Sequence, residues 1–384
     1  MKNTTGFHNI VKVLFSISLL VAIAATPAKA GDQSLQMQLP VDGQLLTLLL
    51  EPSRVTHSLN VVNSKGAPQS VPVRTYIGKI KGDNNSWVRM TRSINKIDGV
   101  ISRYGKRFRF QQSANRPFKI QSLAHNHDAR VTLTKNTSNP FTTIKPPVTR
   151  VARIGIVVDS KFNALHHGRG LEYALGIINS VDGIFREEFG LALQVETAIN
   201  ITDRRNDPLS FGNVAIEKML RGFRNYRMKT PLIGNDISMV HLFSGNTPND
   251  APVGLAWIDT ACRTDGYDVG ISTHYTHDIL LAAHELAHNL GAQHDSDTAC
   301  AASTDKVMWP YISAATTQQF SSCTVASVQQ SMAGSCHAMV VNQELAMTTP
   351  ATNALNNNPL QEFPAAMLAA ELPDHNHNAA IKFR

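Results

Sequence analysis

The residues best equipped for chemistry lie in one stretch, His284-Glu285-Leu286-Ala287-His288-Asn289-Leu290-Gly291-Ala292-Gln293-His294. It fits H-E-x-x-H-x-x-G-x-x-H, a spacing that gathers three imidazoles and a carboxylate around one zinc ion. His284 and His288 are four residues apart, so on a helix they rise from one face, a turn apart. Glu285 is set to the side of that pair, where it reaches a water on the metal without binding the metal. His294 cannot come from the same straight helix, and Gly291 permits the turn back, because glycine takes positive φ at little steric cost. Three imidazoles leave one tetrahedral position open, the arrangement of a catalytic zinc rather than a closed structural one. The bland reading is a helix with a few surface histidines, and the coincidence of all these positions argues against it. A zinc site without catalysis would leave Glu285 with no task.

These residues need a scaffold, and the flanking pattern supplies one. Ile154 to Val158 is a continuous apolar run, suited to a strand covered on both faces. Leu171, Ala174, Leu175, Ile178, Val181 and Phe185 recur at helical spacing, and Gly190 follows them. A strand is predicted around Leu191 to Val195, a helix near Val214 to Phe223 and a strand from Ile237 to Phe243. Leu255 to Ile258 and Val269 to Ile271 are further strand candidates before a zinc helix from about Thr276. Alternation of this kind predicts an α/β fold.

Ahead of this unit, residues from Gly31 to about Gln121 look β-rich. Val71 to Ile80 and Trp87 to Thr91 flank Lys81-Gly82-Asp83-Asn84-Asn85, which reads as a hairpin turn, and Asp98-Gly99 reads as another. Arg103, Lys106, Arg107 and Arg109 alternate with Tyr104 and Phe108, as on a strand with one solvated face. Ser122 to Pro147 is polar and ends in two prolines, a linker composition.

With 384 residues the chain has room for two domains, or for one and a pro-segment. The net charge of +7 is modest and spread out, and no recognition module accompanies it, so nucleic acid is not an expected partner. Lys2 and Lys12, an apolar run from Val13 to Ala25, and Ala28-Lys29-Ala30 read as a signal peptide over residues 1–30. That run is too short to span a bilayer comfortably, and no later segment is a membrane candidate, so an exported chain, periplasmic or extracellular, is expected. Cys262, Cys300, Cys323 and Cys336 surround the zinc motif. An even number in an exported chain favours disulfides, with three pairings open, and no C-x-x-C supports a cysteine metal site. His125, His127, His375 and His377 sit in polar segments and read as solvated. Residues 341–384 read as a flexible tail, with at best a short helix near Ala365 to Leu372.

The chain resembles the metzincins, and within them the reprolysin (adamalysin) zinc endopeptidases. Beyond the zinc motif, Asp295 follows the third histidine. Met308, in Val307-Met308-Trp309-Pro310, resembles the methionine turn beneath the metal. Phe320-Ser321-Ser322-Cys323 and Cys336 resemble the family's closing segment. His241-Leu242-Phe243-Ser244-Gly245 and Gly254-Leu255-Ala256-Trp257 resemble its substrate-side edge strand and the loop after it. The match covers roughly Thr149 to Ala338, and more weakly a propeptide carrying Tyr76 to Gly82, Ser86 to Arg89 and Gly99 to Ile101.

The resemblance implies a metzincin-type α/β catalytic domain at 149–340, a twisted mixed sheet with long helices, a zinc helix and an irregular C-terminal subdomain. A β-rich propeptide and linker at 31–148 would precede it. It implies one catalytic zinc held by His284, His288 and His294, with Glu285 as general base and Gly291, Asp295 and Met308 as structural residues. Val240 to Ser244 (with His241, Leu242 and Phe243) would pair with an extended substrate, and Met308, Pro310 and Tyr311 would wall the specificity pocket. It implies disulfides Cys262–Cys336 and Cys300–Cys323. Calcium is not carried over, because Gly155 stands where the family uses a glutamate. No cysteine precedes Cys262, so a propeptide thiolate cannot silence the zinc. Cover of the edge strand, Asp83, or His125 or His127 would have to inhibit in cis. Cleavage of the pro-segment is expected between about Ser122 and Arg153, at Arg130, Arg150 or Arg153.

The expected protein is then a monomeric, exported zinc endopeptidase acting on proteins or peptides, resembling bacterial secreted members. A secreted zinc- and peptide-binding protein without catalysis, or a zinc amidase acting on cell-wall peptides, shares the site and is the alternative.

Overall fold

The computed structural model describes residues 34–41, 44–114, 116–123, 147–313, 315–333 and 338–339. The expected signal peptide, the 124–146 part of the linker, the 341–384 tail, His125, His127, Arg130, Cys336, His375 and His377 lie outside them.

The N-terminal part forms β1 (Leu35–Val41), β2 (Gln44–Pro52), β3 (Asn60–Asn63), β4 (Arg74–Ile80), β5 (Asp83–Ser93), β6 (Lys96–Arg103), β7 (Lys106–Ser113) and β8 (Lys119–Ser122). All but β3 make one antiparallel sheet in the order β1-β2-β4-β5-β6-β7-β8. Because strand side chains alternate between faces, Val88 and Met90 of β5 join Leu39, Leu48, Leu50, Ile101, Phe108 and Phe110 in a core on one side. Trp87 and Arg89 point the other way.

The rest forms β9 (Arg150–Val158), α1 (Ser160–Leu165), α2 (Gly170–Phe189), β10 (Leu191–Asn200), α3 (Ile216–Lys229), β11 (Met239–Ser244), β12 (Gly254–Ala256), β13 (Val269–Thr273), α4 (Asp278–Asn289), α5 (Ser322–Ala333) and β14 (Ala338–Met339). The second sheet runs β12-β13-β11-β9-β10-β3, with β14 pairing the start of β9. Its strands are parallel except β12 and β14. Ile154, Ile156 and Val158 of β9 pack on one face with α2, α4 and α5. Val157 joins Val240, Leu242, Ile271 and the apolar face of α3 on the other. A strand covered on both faces has to be apolar throughout, which is why the 154–158 run was readable. The periodic 171–185 residues are buried as predicted, and Gly190 ends α2 in the left-handed region at φ 69.

Several expectations are corrected. Asp98-Gly99 is not a turn but the middle of β6, and the turn falls at Ile94-Asn95. Gly99 is there for clearance, since a Cβ would lie 2.4 Å from both the Arg89 carbonyl oxygen and the Phe110 ring. The turn at Lys81 narrows to Lys81-Gly82, and Asp83 already pairs with Ile80. Arg107 and Arg109 do not line a solvated face: they are 3% and 6% exposed and paired with acids of α2 and α4. A charged guanidinium can be buried when carboxylates meet it, and the run of basic residues alone does not reveal those partners. Arg150 and Arg153 stand in β9, paired with Leu191 and Gln194 of β10.

The largest correction concerns the edge strand. Residues Val240, His241, Leu242, Phe243 and Ser244 lie in β11, between β9 and β13, and are all buried. The short antiparallel β12 holds the edge instead. Parallel pairing on both sides of β11 is a matter of chain crossover, which local sequence does not specify. At the opposite edge β3 leaves the N-terminal sheet and adds, parallel, to β10. Among the described residues, no strand of the N-terminal sheet pairs with β12. Asp83 is also engaged, its carboxylate accepting from Arg103 Nε at 2.8 Å. Among the described residues, no helix is long and apolar enough to cross a membrane.

Candidate metal centre

Helix α4 is buried along its whole length, which suits the apolar run Ile279 to Ala283 that leads into the motif. His284 and His288 project from it one turn apart, with ring centroids separated by 4.5 Å. Gly291 adopts φ 94 and turns the chain out of the helix. His294 then swings back, its ring 5.2 Å from His284 and 5.0 Å from His288. One ligand atom from each of the three lies within 4.8 Å of the others, a spacing that could hold a metal ion.

The ring orientation is fixed from behind. His284 Nδ1 lies 2.6 Å from the Val307 carbonyl oxygen and His288 Nδ1 lies 2.7 Å from that of Ala292. A carbonyl only accepts, so each Nδ1 carries the hydrogen and each Nε2 keeps its lone pair. Those two Nε2 atoms face each other at 2.8 Å. Two lone pairs so close repel unless a cation sits between or beside them, and this is what fits the site to a metal. Burial pushes the pKa of His284 well below the usual imidazole value, that of His288 down to about 3 and that of His294 down to about 4. The neutral form is the one that ligates.

Glu285 is fully buried, and neither carboxylate oxygen has a hydrogen-bond partner among the described residues. Burial pushes its pKa well above the carboxylate range. The carboxylate lies against the edge strand: a Cβ on Gly254 would be 2.3 Å from Glu285 Oε1. Glycine at the head of β12 is what lets strand and carboxylate approach.

The floor of the site is tied together by backbone. Asp295 N donates to the Met308 carbonyl oxygen at 2.9 Å, next to the Val307 carbonyl that orients His284. The Asp295 carboxylate accepts from Ser321 Oγ and from Thr324 Oγ1, which joins the turn after His294 to the start of α5. Met308 is fully buried in the core that holds α4, while Tyr311 is 48% exposed beside the half-buried Pro310. Cys300 and Cys323 form a disulfide that closes the segment carrying Met308. Cys262 is also disulfide-bonded, and its expected partner Cys336 lies outside the described residues.

Two residues of β11, His241 and Ser244, make buried polar contacts within the sheet. His241 Nε2 is 2.9 Å from Ser272 Oγ, and burial lowers its pKa to about 3. Ser244 Oγ donates to Asp159. Two further residues, Asn289 and Asp278, hold the zinc-motif helix in place. Asn289 donates to the carbonyl oxygens of Trp257 and Val269 and to Thr260 Oγ1, each at 3.1 Å, locking the end of α4 to the sheet. The available signal is an amide on a helix whose other polar residues are Asp278, His284, Glu285 and His288. Asp278, in the first turn of α4, receives Arg109 at 3.0 Å and the Tyr173 hydroxyl. Nothing local to Asp278 announces a partner 169 residues away.

A family model described as metallo-peptidase family M12 matches residues 148–341, half of the chain. The chain is 28% identical over 192 residues to the zinc metalloproteinase-disintegrin-like brevilysin H2a of Gloydius brevicauda, and equally to brevilysin H2b. These matches cover 46% of this chain and 42% of each relative, so the chain spans about two fifths of the length of the curated relatives it matches. Among solved structures it is similar to metalloproteinase-II from Bacteroides fragilis, with a TM-score of 0.48 and 14% identity, over 78% of this chain and 91% of that one.

Proposed function

The chain belongs to metallo-peptidase family M12, and on that premise we propose that it is an exported zinc endopeptidase that hydrolyses peptide bonds in protein substrates. The observation that carries the reading is the convergence of three neutral imidazoles beside a buried carboxylate without a hydrogen-bond partner, at the open edge of a sheet.

Nε2 of His284, His288 and His294 would hold the ion. Bound there, zinc acidifies a water and polarises the substrate carbonyl. Glu285 takes the proton from the attacking water at a carboxylate oxygen and delivers it to the leaving amine nitrogen. An extended peptide adds to β12 as a further strand, using backbone groups that no described strand satisfies. Gly254 keeps Glu285 at that strand, and the Met308 to Tyr311 turn, with Pro310, supplies the pocket wall. Residues 31–148 are read as a pro-segment, cut within 124–146.

Incubating purified protein with casein, with and without a chelator, and reading the cut sites by mass spectrometry tests the reading. Cleavage that stops on chelation and returns with zinc is expected. Cleavage indifferent to the chelator, or none by protein carrying zinc, would overturn it. N-terminal sequencing of the secreted form tests the pro-segment: an active chain still starting near Gly31 and uncut within 124–146 refutes its processing.

A further inference from the structure

We infer that the N-terminal sheet does not leave when the chain is cut, and that the processed protein works as a complex of two fragments. This rests on the pro-segment reading above, and concerns where the segment goes after cleavage.

Three independent features bind the sheet to the catalytic unit. The first is continuous hydrophobic packing: Val55, Val61, Trp87 and Val100 lie in the same core as α2, α4 and α5. Gly183 of α2 is where Trp87 fits, since a Cβ there would meet its ring at 2.5 Å. The second is β3, which pairs Asn60 to Asn63 with Thr197 to Asn200 and occupies the edge of the catalytic sheet. Without it, the edge of β10 would be open backbone, a hazard for aggregation.

The third is a set of buried ion pairs. Asp182 of α2, fully buried, receives Arg89 Nε at 2.9 Å, and its other oxygen accepts from the Leu193 backbone. Arg107 Nη2 meets Glu187 at 2.7 Å and also reaches Glu188. Trp87 Nε1 donates to Glu187 at 2.8 Å. Arg109 bonds Asp278 in the first turn of the zinc helix. Removing one side of a buried pair leaves an uncompensated charge in the interior, which is costly. Departure of the sheet would do so at Asp278, and would leave Asp182 with Arg186 as its one cation in place of two. A temporary cover gains nothing from such an interface, which lies on α2 and β10 rather than over β12. The sheet is therefore a standing part of the scaffold, and it anchors the helix that carries His284 and His288.

The test uses the full chain with Glu285→Ala, which prevents self-digestion, and a site for a sequence-specific protease inserted within 124–146. After complete cutting, as judged on a denaturing gel, size-exclusion chromatography and native mass spectrometry should show one species of both fragments at micromolar concentration. Arg109→Ala in the same chain, which strips Asp278 of its cation, should raise the dissociation constant by about a hundredfold or more, the scale set by breaking one buried pair. Arg107→Ala is the second variant should the first fold poorly. Fragments of the parent chain that separate at micromolar concentration overturn the inference, as does an unchanged dissociation constant in a folded variant. The readout is mass and not turnover, so failure of the peptidase reading would leave this result intact, and the reverse.

Discussion

In the proposed mechanism Glu285 carries the proton and the three histidines hold the metal, so substitutions should separate the two roles. Glu285→Ala removes the proton carrier but none of the imidazoles, so cleavage should vanish while zinc content stays near that of the parent. His288→Ala removes a ligand, so metal and activity should both go. Metal analysis beside a peptide assay checks the pair, and ordinary turnover by the Glu285 variant would sink the mechanism. His241 makes a separate prediction about pH. Burial holds its folded-state pKa to about 3, against roughly 6.5 when unfolded. The stability it permits is full above the unfolded value and is lost as pH falls toward the folded one. In that window the unfolded chain binds one extra proton, a slope of about 1.4 kcal/mol per pH unit. His241→Gln should reduce the slope of unfolding free energy against pH, between about pH 4 and 6, by roughly that amount. Denaturant titrations across the window measure it, and an unchanged slope would mean that this imidazole titrates normally.

Strand β12 spans only Gly254–Ala256, yet its position makes it the strand on which the proposed chemistry depends. Gly254→Ala places a methyl group 2.3 Å from the present position of Glu285 Oε1, so carboxylate or strand must shift. Displacements of about an ångström at a reacting group cost on the order of a hundredfold in rate. The variant should therefore bind zinc normally and lose about ten- to a hundredfold in kcat. Zinc content and steady-state kinetics decide it, and parental kcat in a folded variant would show that the approach is not needed. At the other end of the motif, Gly291 works through its backbone: at φ 94 an alanine is strained. Gly291→Ala should loosen the His294 turn and lower zinc affinity, which a competition titration with a chromogenic chelator reads.

Across the molecule, the C-terminal part is irregular around the site, and covalent links hold it. The Cys300–Cys323 bridge spans a sequence separation of 23 and closes the segment that carries Val307 and Met308. Constraining an unfolded loop of that size contributes roughly 3 kcal/mol, and losing a native bridge typically costs about 2–5 kcal/mol. Cys300→Ser with Cys323→Ser should lower the unfolding free energy on that scale and weaken zinc retention, because the carbonyl orienting His284 loses its tether. Chemical denaturation with and without zinc measures both, and a variant as stable as the parent would remove the bridge from the argument.

The zinc motif, the amphipathic α2 and the buried β9 were legible in the chain because each is a local periodicity. Four residues between His284 and His288 mean one helical face wherever the helix lies. Gly190 and Gly291 were legible for the same reason, since each closes or turns a helix by its own backbone freedom. Other features required distant parts of the chain to meet. Residues 240–244 read as an edge strand until parallel neighbours enclosed them on both sides, and β12 took that place. Asp98-Gly99 read as a turn until Phe110 and the Arg89 backbone showed why no side chain fits there. Arg107 and Arg109 read as solvated until acids of α2 and α4 met them. Periodicity is written within a few residues, whereas strand order and the pairing of buried charges are settled by contacts as distant in sequence as that of Arg109 with Asp278, 169 residues apart. No local pattern can encode these.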